Sequence, residues 1–393
     1  IPGAVFDILG QELNVLAPAI TTFGAIFMYV YAFGQLIIGV LVDRYGGYKI
    51  ITAGAIILTI GGFLFALSEN LLVMYVARAL LGLGASTFYL SLIKEIRNIC
   101  EEKDFGLAIS VMLFVGYMGG VLANAPFVAA MKYMSWRDIL LVIGIICLIA
   151  LIVFCLILLK IDNKKVNTNV KIRMLPFRLV LHKKHNRNLF SFACCNYGIF
   201  YVIQTVIGKK FLEDFCQFSS PKATTYLSVL AVISAIFNLI NASVCKLYHN
   251  KRVKFLKCAS VVTFVSLLLL FVFITFNIKT FLIVILFFIL AGNASLTSLL
   301  VPVLHLTNHK MVSGTAVSIM NFCFFMMVGL LGSLTGFLLN IFKPVTFNGN
   351  LIYTSHSYML VFGMFLLISL FELYKAMKLE LYKIYFKFKT LPL

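Results

Sequence analysis

Eleven runs of mostly apolar residues follow one another along this chain of 393 residues, each near the ~20 residues that a helix needs to cross a bilayer. They cover roughly 15–41, 50–67, 71–93, 105–131, 138–160, 189–212, 223–246, 255–277, 280–304, 314–342 and 355–374. Runs of this length and polarity read as spanning helices, so an all-α polytopic membrane protein is expected.

Composition agrees with this. The chain is 62% hydrophobic and only 12% charged, against roughly 45–50% and about 25% in soluble domains. The net charge of +19 does not point to nucleic acid, because the basic residues sit in short loops where they set orientation and meet anionic lipid. The nine cysteines form no CxxC pair, so neither a disulfide framework nor a zinc site is expected. His305 and His309, and His182 and His185, lack a nearby carboxylate or cysteine, and no metal is assigned to them. No cofactor is expected, and no GxxxxGK[ST] loop is present for ATP.

One long polar connection divides the chain. Between Lys160 and Arg187 the apolar pattern stops and nine basic residues appear. The expected domains are 1–160, a first bundle; 161–187, a basic cytoplasmic loop; 188–374, a second bundle; and 375–393, a basic amphipathic tail lying on the membrane. The chain starts at Ile1 without Met, and residues 1–6 read as the tail of a first helix that is largely missing. On alternate loops, 25 of the 33 Lys and Arg fall on one side and 7 on the other, with Arg78 inside a span. The positive-inside rule then assigns the central loop and C-terminus to the cytoplasm, and a bacterial inner (plasma) membrane is expected.

The turn after the first complete span reads Gly39-x-x-x-Asp43-Arg44-x-Gly46, followed by Lys49. This spacing resembles the signature loop between the second and third helices of major facilitator superfamily transporters. The fourth-helix segment Arg78-x-x-x-Gly82-x-Gly84-Ala85 is similar to another motif of that family, with Leu81 where Gln is often found. Trp136-Arg137 matches a pair common before its sixth helix, and alone reads as an interfacial anchor. The resemblance implies two pseudo-symmetric six-helix bundles around a mid-membrane site. It also implies that Gly39, Asp43, Arg44, Gly46 and Lys49 form a cytoplasmic gate. Asp43 would accept hydrogen bonds from the start of a helix near Ser313 and Gly314. The equivalent place in the second half has Cys245. The family's antiporter sequence Gly-Pro-x-x-Gly-Gly is absent.

Arg78 stands seven positions into its run, about 10 Å along a helix, and an arginine at the bilayer centre costs at least about 2.5–3.5 kcal/mol. The family implicates this arginine in substrate or proton coupling. A snorkelling or structural arginine is the alternative. All fourteen acidic residues read as lying at helix ends or in loops, so no carboxylate is expected for a mid-membrane proton relay. Tyr31, Gln204 and Asn293, deep in their spans, are the expected cavity partners of Arg78, although helix-to-helix hydrogen bonding would also explain each of them. Glycines at 116, 119, 120, 329, 332 and 336 suit either sliding or close packing of opposing helices.

The leading functional expectation is a monomeric symporter or uniporter for a small anionic or zwitterionic solute, organic acid or amino acid-like, with a coupling proton or ion as a further partner. It would work by rocker-switch alternating access. A non-transporting sensor or scaffold on the same fold, or an integral membrane enzyme, are the alternatives; no catalytic constellation supports the enzyme.

Overall fold

The structure is a computed structural model, and it describes residues 5, 8–9, 12, 17–100, 105–123, 125–160, 175–247, 251–308, 310–347 and 350–379. Residues 1–4 and 6 of the expected first-helix tail, residues 161–174 of the central connection, His309, and residues 380–393 of the tail lie outside them.

The apolar runs are helices. The first half holds α1 (Ala17–Tyr45), α2 (Gly47–Leu67), α3 (Leu71–Ile99), α4 (Phe105–Leu122), the short α5 (Ala125–Ala130) and α6 (Trp136–Lys160). The second half holds α7 (Leu175–His182), α8 (Lys184–Val202) with a π-turn over Ile203–Ile207, α9 (Gly208–Asp214), α10 (Ser220–Leu247), α11 (Arg252–Thr275), α12 (Leu282–Ala294), α13 (Thr297–Thr307), α14 (Lys310–Leu339) and α15 (Ser355–Met377). A two-stranded hairpin, β1 (Val345–Phe347) and β2 (Asn350–Ile352), precedes α15. Among the described residues ten helices are long and apolar enough to span a membrane, and α1 adds the apolar stretch Ile26–Val42. The basic connection is partly helical, since α7 and the first turn of α8 fall within it.

Helix starts and turns follow from local chemistry. Asn70 caps α3, its side chain accepting from the Leu72 N–H at 2.8 Å. Gly46 caps α2 with φ 85° and ψ 156°, a conformation open essentially to glycine alone. That allows α1 and α2 to reverse with a single residue between them.

Within the first half α3 packs on α1 and α2. The approach is close because α3 carries glycine at the contacts: a Cβ on Gly82 would stand 2.6 Å from the Phe27 carbonyl, and one on Gly84 2.6 Å from the Leu58 nitrogen. This is the small-residue packing that replaces hydrophobic burial between helices in lipid. In the second half, α15 packs on α8 and α11, and the aromatic core joins Phe211, Phe287, Tyr358 and Phe362. The halves meet along α1 with α14 and α4 with α10.

Trp136 is held by protein contacts. It is 4% exposed, packs on Phe65 and donates from Nε1 to Glu12 Oε1 at 3.1 Å. Arg137 lies over its ring, pairs with Glu12 at 3.0 Å and donates to the Ser68 carbonyl at 2.6 Å. The pair therefore clasps the ends of α2 and α6.

Candidate functional site

Between the halves lies a cavity of about 750 Å³, within the usual range of small-molecule sites. Arg78 lines it from α3 and is 8% exposed, its guanidinium 4.9 Å from the centre of the Phe27 ring. That cation–π contact offsets part of the cost of burying the charge. The side chain is enclosed by protein at the cavity wall.

Tyr31 and Gln204 also line the cavity. Tyr31 comes from α1, its ring 4.1 Å from that of Phe325 on α14. Gln204 arrives by a device invisible in the hydropathy pattern. The α-helical ladder of α8 widens into a π-turn over Ile203–Ile207, and Gln204, Thr205 and Val206 of that turn all face the cavity. Such single-turn widenings are frequent at functional sites because they re-aim side chains out of helical register. Gly208 closes the turn, since a Cβ there would stand 2.2 Å from the Ile203 carbonyl.

Asn293 is not a cavity residue. Its Nδ2 donates to the Ala259 carbonyl at 2.7 Å and to Thr263 Oγ1 at 2.5 Å, within the second half. It belongs to a polar cluster behind α8.

The cavity holds residues that sequence reasoning passed over. Tyr89, Tyr117, Tyr197 and Tyr201 join Tyr31 around it, and Lys209 adds a second cation, 3.7 Å from Glu213. Arg78 and Lys209 are the charged residues among its described lining, which includes no carboxylate. Gly116 and Gly119 face its open space: a Cβ on either would meet nothing within 4 Å. They give the cavity room, whereas Gly329 packs against the Tyr29 ring of the opposite half.

The cavity is closed at one end. Ile38, Val42, Leu90 and Ile93 of the first half share a buried cluster with Val317, Met320 and Phe324 of the second. Gln35, fully buried, ties the same level together: its Nε2 donates to the Ser86 carbonyl at 2.9 Å, its carbonyl accepts from Ser318 Oγ at 2.8 Å, and its Oε1 accepts from Asn321 Nδ2 at 3.3 Å. Arg78, Lys209 and Thr224 lie toward the other end, close to the connections 68–70 and 215–219.

Of the expected gate, Gly39 packs on α14, where a Cβ would stand 3.0 Å from Ser318 Oγ. Gly46 forms the turn, and Lys49 is exposed. Arg44 is half-buried beside the Tyr45 ring. Asp43 lies on α1, but its side chain falls outside the described residues, as does that of Ser313. A carboxylate not assigned to the gate does cap this turn: Glu95 of α3 accepts from the Gly47 N–H at 2.7 Å in a buried contact. The negative charge sits on the free amides at the start of α2, where the helix dipole favours it.

A comparison with curated proteins finds no match. The family model described as Major Facilitator Superfamily matches residues 1–333. With its membrane-length helices and a cavity between two packed halves, the chain belongs to the major facilitator superfamily of membrane transporters.

Proposed function

We propose that the chain carries a small anionic or zwitterionic solute, organic acid or amino acid-like, across the membrane by rocker-switch alternating access, as a symporter or uniporter. The observation that carries this reading is the charge of the cavity: Arg78 and Lys209 line it, and its described lining contains no carboxylate. The guanidinium and ammonium N–H groups at the wall are donors from which a carboxylate-bearing solute accepts charge-assisted hydrogen bonds. The five tyrosines supply flat apolar faces and hydroxyls, a lining suited to orienting a solute with an unsaturated or ring-bearing body.

In this reading the protein is held with the cavity directed away from the cytoplasm. The excess of basic residues on the central loop and its companions supports placing that side, and the C-terminus, in the cytoplasm of a bacterial inner membrane. The closed end around Gln35 then faces the cytoplasm, and Gly39, Asp43, Arg44, Gly46 and Lys49 form the gate beside it.

The test is uptake of metabolite mixtures into vesicles holding the purified chain, with and without an imposed proton gradient. Accumulation of an anionic or zwitterionic solute is expected, with Arg78→Ala and Arg78→Lys each losing at least about tenfold in uptake, equivalent to ~1.4 kcal/mol. No flux of any solute would favour a scaffold, and wild-type rates in both variants would remove Arg78 from the binding site.

A further inference from the structure

The sequence places Glu372 near the end of its span, yet the side chain is fully buried in the second half, five residues before the end of α15. Its Oε1 accepts from Asn196 Nδ2 of α8 at 3.0 Å. Its Oε2 is buried and has no hydrogen-bond partner among the described residues. The same Asn196 Nδ2 donates to Thr263 Oγ1 of α11 at 2.9 Å, and Thr263 in turn accepts from Asn293 of α12. Four helices thus converge on one polar cluster, and the single acid in it is only half satisfied.

Among the described residues, the groups around the acid offer no cation. From α8 the titratable neighbours are the thiols of Cys194 and Cys195, and from α14 Cys323 faces Cys194. Thr263 of α11 and Asn293 of α12 are neutral. On α15 itself Lys375 stacks on the Phe371 and Tyr374 rings. Among the described residues, no Lys, Arg or His nitrogen lies within 4.0 Å of the Glu372 oxygens.

An ionised carboxylate in this setting would be a buried, unpaired charge, which a protein avoids by neutralising the group. The amide donor on one oxygen and the bare second oxygen suit a carboxylic acid that carries its proton on Oε2. We propose that Glu372 is a reversible proton-binding site, loaded in this packed arrangement and emptied when α8 and α15 part enough to admit water. On release the O–H bond breaks, its electron pair stays on Oε2 and the proton passes to water. Asn196 keeps its hydrogen bond to Oε1 in both states.

The placement also links the site to the cavity. Asn196 precedes Tyr197, which lines the cavity against Phe324 and Phe325. A shift of α8 that loads or empties the cavity therefore moves the donor that holds Glu372. Use of this proton for coupling rests on the transport reading above, whereas proton binding itself does not.

The experiment is a pH-difference infrared titration of the full chain in lipid nanodiscs, read at the C=O stretch of protonated carboxyls. Above the bands of the other carboxyls, the wild type should show a high-frequency titrating band equivalent to a single buried acid. Glu372→Gln should abolish it, and Glu95→Gln should retain it. Where Glu372→Gln does not fold, Glu372→Asp should shift the band in frequency. Absence of this high-frequency band in the wild type, persistence of the band in Glu372→Gln, or an unshifted band in Glu372→Asp would overturn the proposal. None of these readouts depends on the transported solute, so the two readings fail separately.

Discussion

The Ser318 hydroxyl of α14 donates to the main-chain carbonyl of Gln35 on α1, at 2.8 Å, across the junction of the two halves. A backbone carbonyl inside a helix already accepts from its own helix, so this second bond ties α1 to α14 without disturbing α1. Ser318 also faces Gly39, so a small residue on one helix meets a small residue on the other.

Replacing Ser318 by Leu should therefore open the closed end. The leucine overlaps the space beside Gly39 and removes the bond to Gln35, a net loss of about 0.5–1.5 kcal/mol because the carbonyl keeps the partner in its own helix. A cysteine introduced at Ile38, which is buried there, should become reactive to a water-soluble maleimide in the Ser318→Leu background. Asp43→Asn should act in the same direction but more weakly, by about 0.3–1 kcal/mol if it caps a helix start. Unchanged labelling in both would show that neither contact holds the closed end.

Gly116→Leu should leave folding intact and block the cavity. No atom lies within 4 Å of a Cβ at that position, so the side chain projects into the free volume that a solute would occupy. Uptake should fall at least about tenfold, or ~1.4 kcal/mol, while thermal unfolding followed by Trp136 fluorescence stays at the wild-type midpoint.

Gly46→Ala should lower stability by about 1–3 kcal/mol, because φ 85° and ψ 156° is a region that side-chain-bearing residues avoid. The strain would fall on the turn that places the Gly47 N–H on Glu95. Thermal unfolding in detergent measures it, and a midpoint equal to wild type would show that the turn relaxes at no cost.

Cys216 lies in the connection before α10, and burial pushes its thiol up to about 12. The thiolate is the reactive form, so at pH 8 roughly one chain in ten thousand is ready to react there. Iodoacetamide should leave Cys216 unmodified at pH 8 while alkylating the exposed Cys258, with Cys216 gaining label as pH rises toward its ionisation. Peptide mass mapping across pH reads both sites.

The helices and their short reversals were legible in the sequence because lipid imposes a length and a polarity on each span. The Asp43–Gly46 turn could be read for a related reason: a charged, glycine-bearing stretch between two apolar runs has few ways to fold. Arg78 stood out as a charge in hydrocarbon, and the structure sets it at the cavity wall beside Tyr31 and Gln204. What the sequence left open is which face of each helix meets protein and which meets lipid. Both surroundings accept the same apolar residues, so periodicity hardly separates them. Helix rotation turned Asn293 toward Thr263, drew Trp136 into a clasp and enclosed Glu372. A local π-turn, set by packing around Gly208, aimed Gln204 into the cavity. The spans follow from the hydrophobic thickness of a bilayer, whereas the site exists only where two halves, each rotated by its own packing, come together.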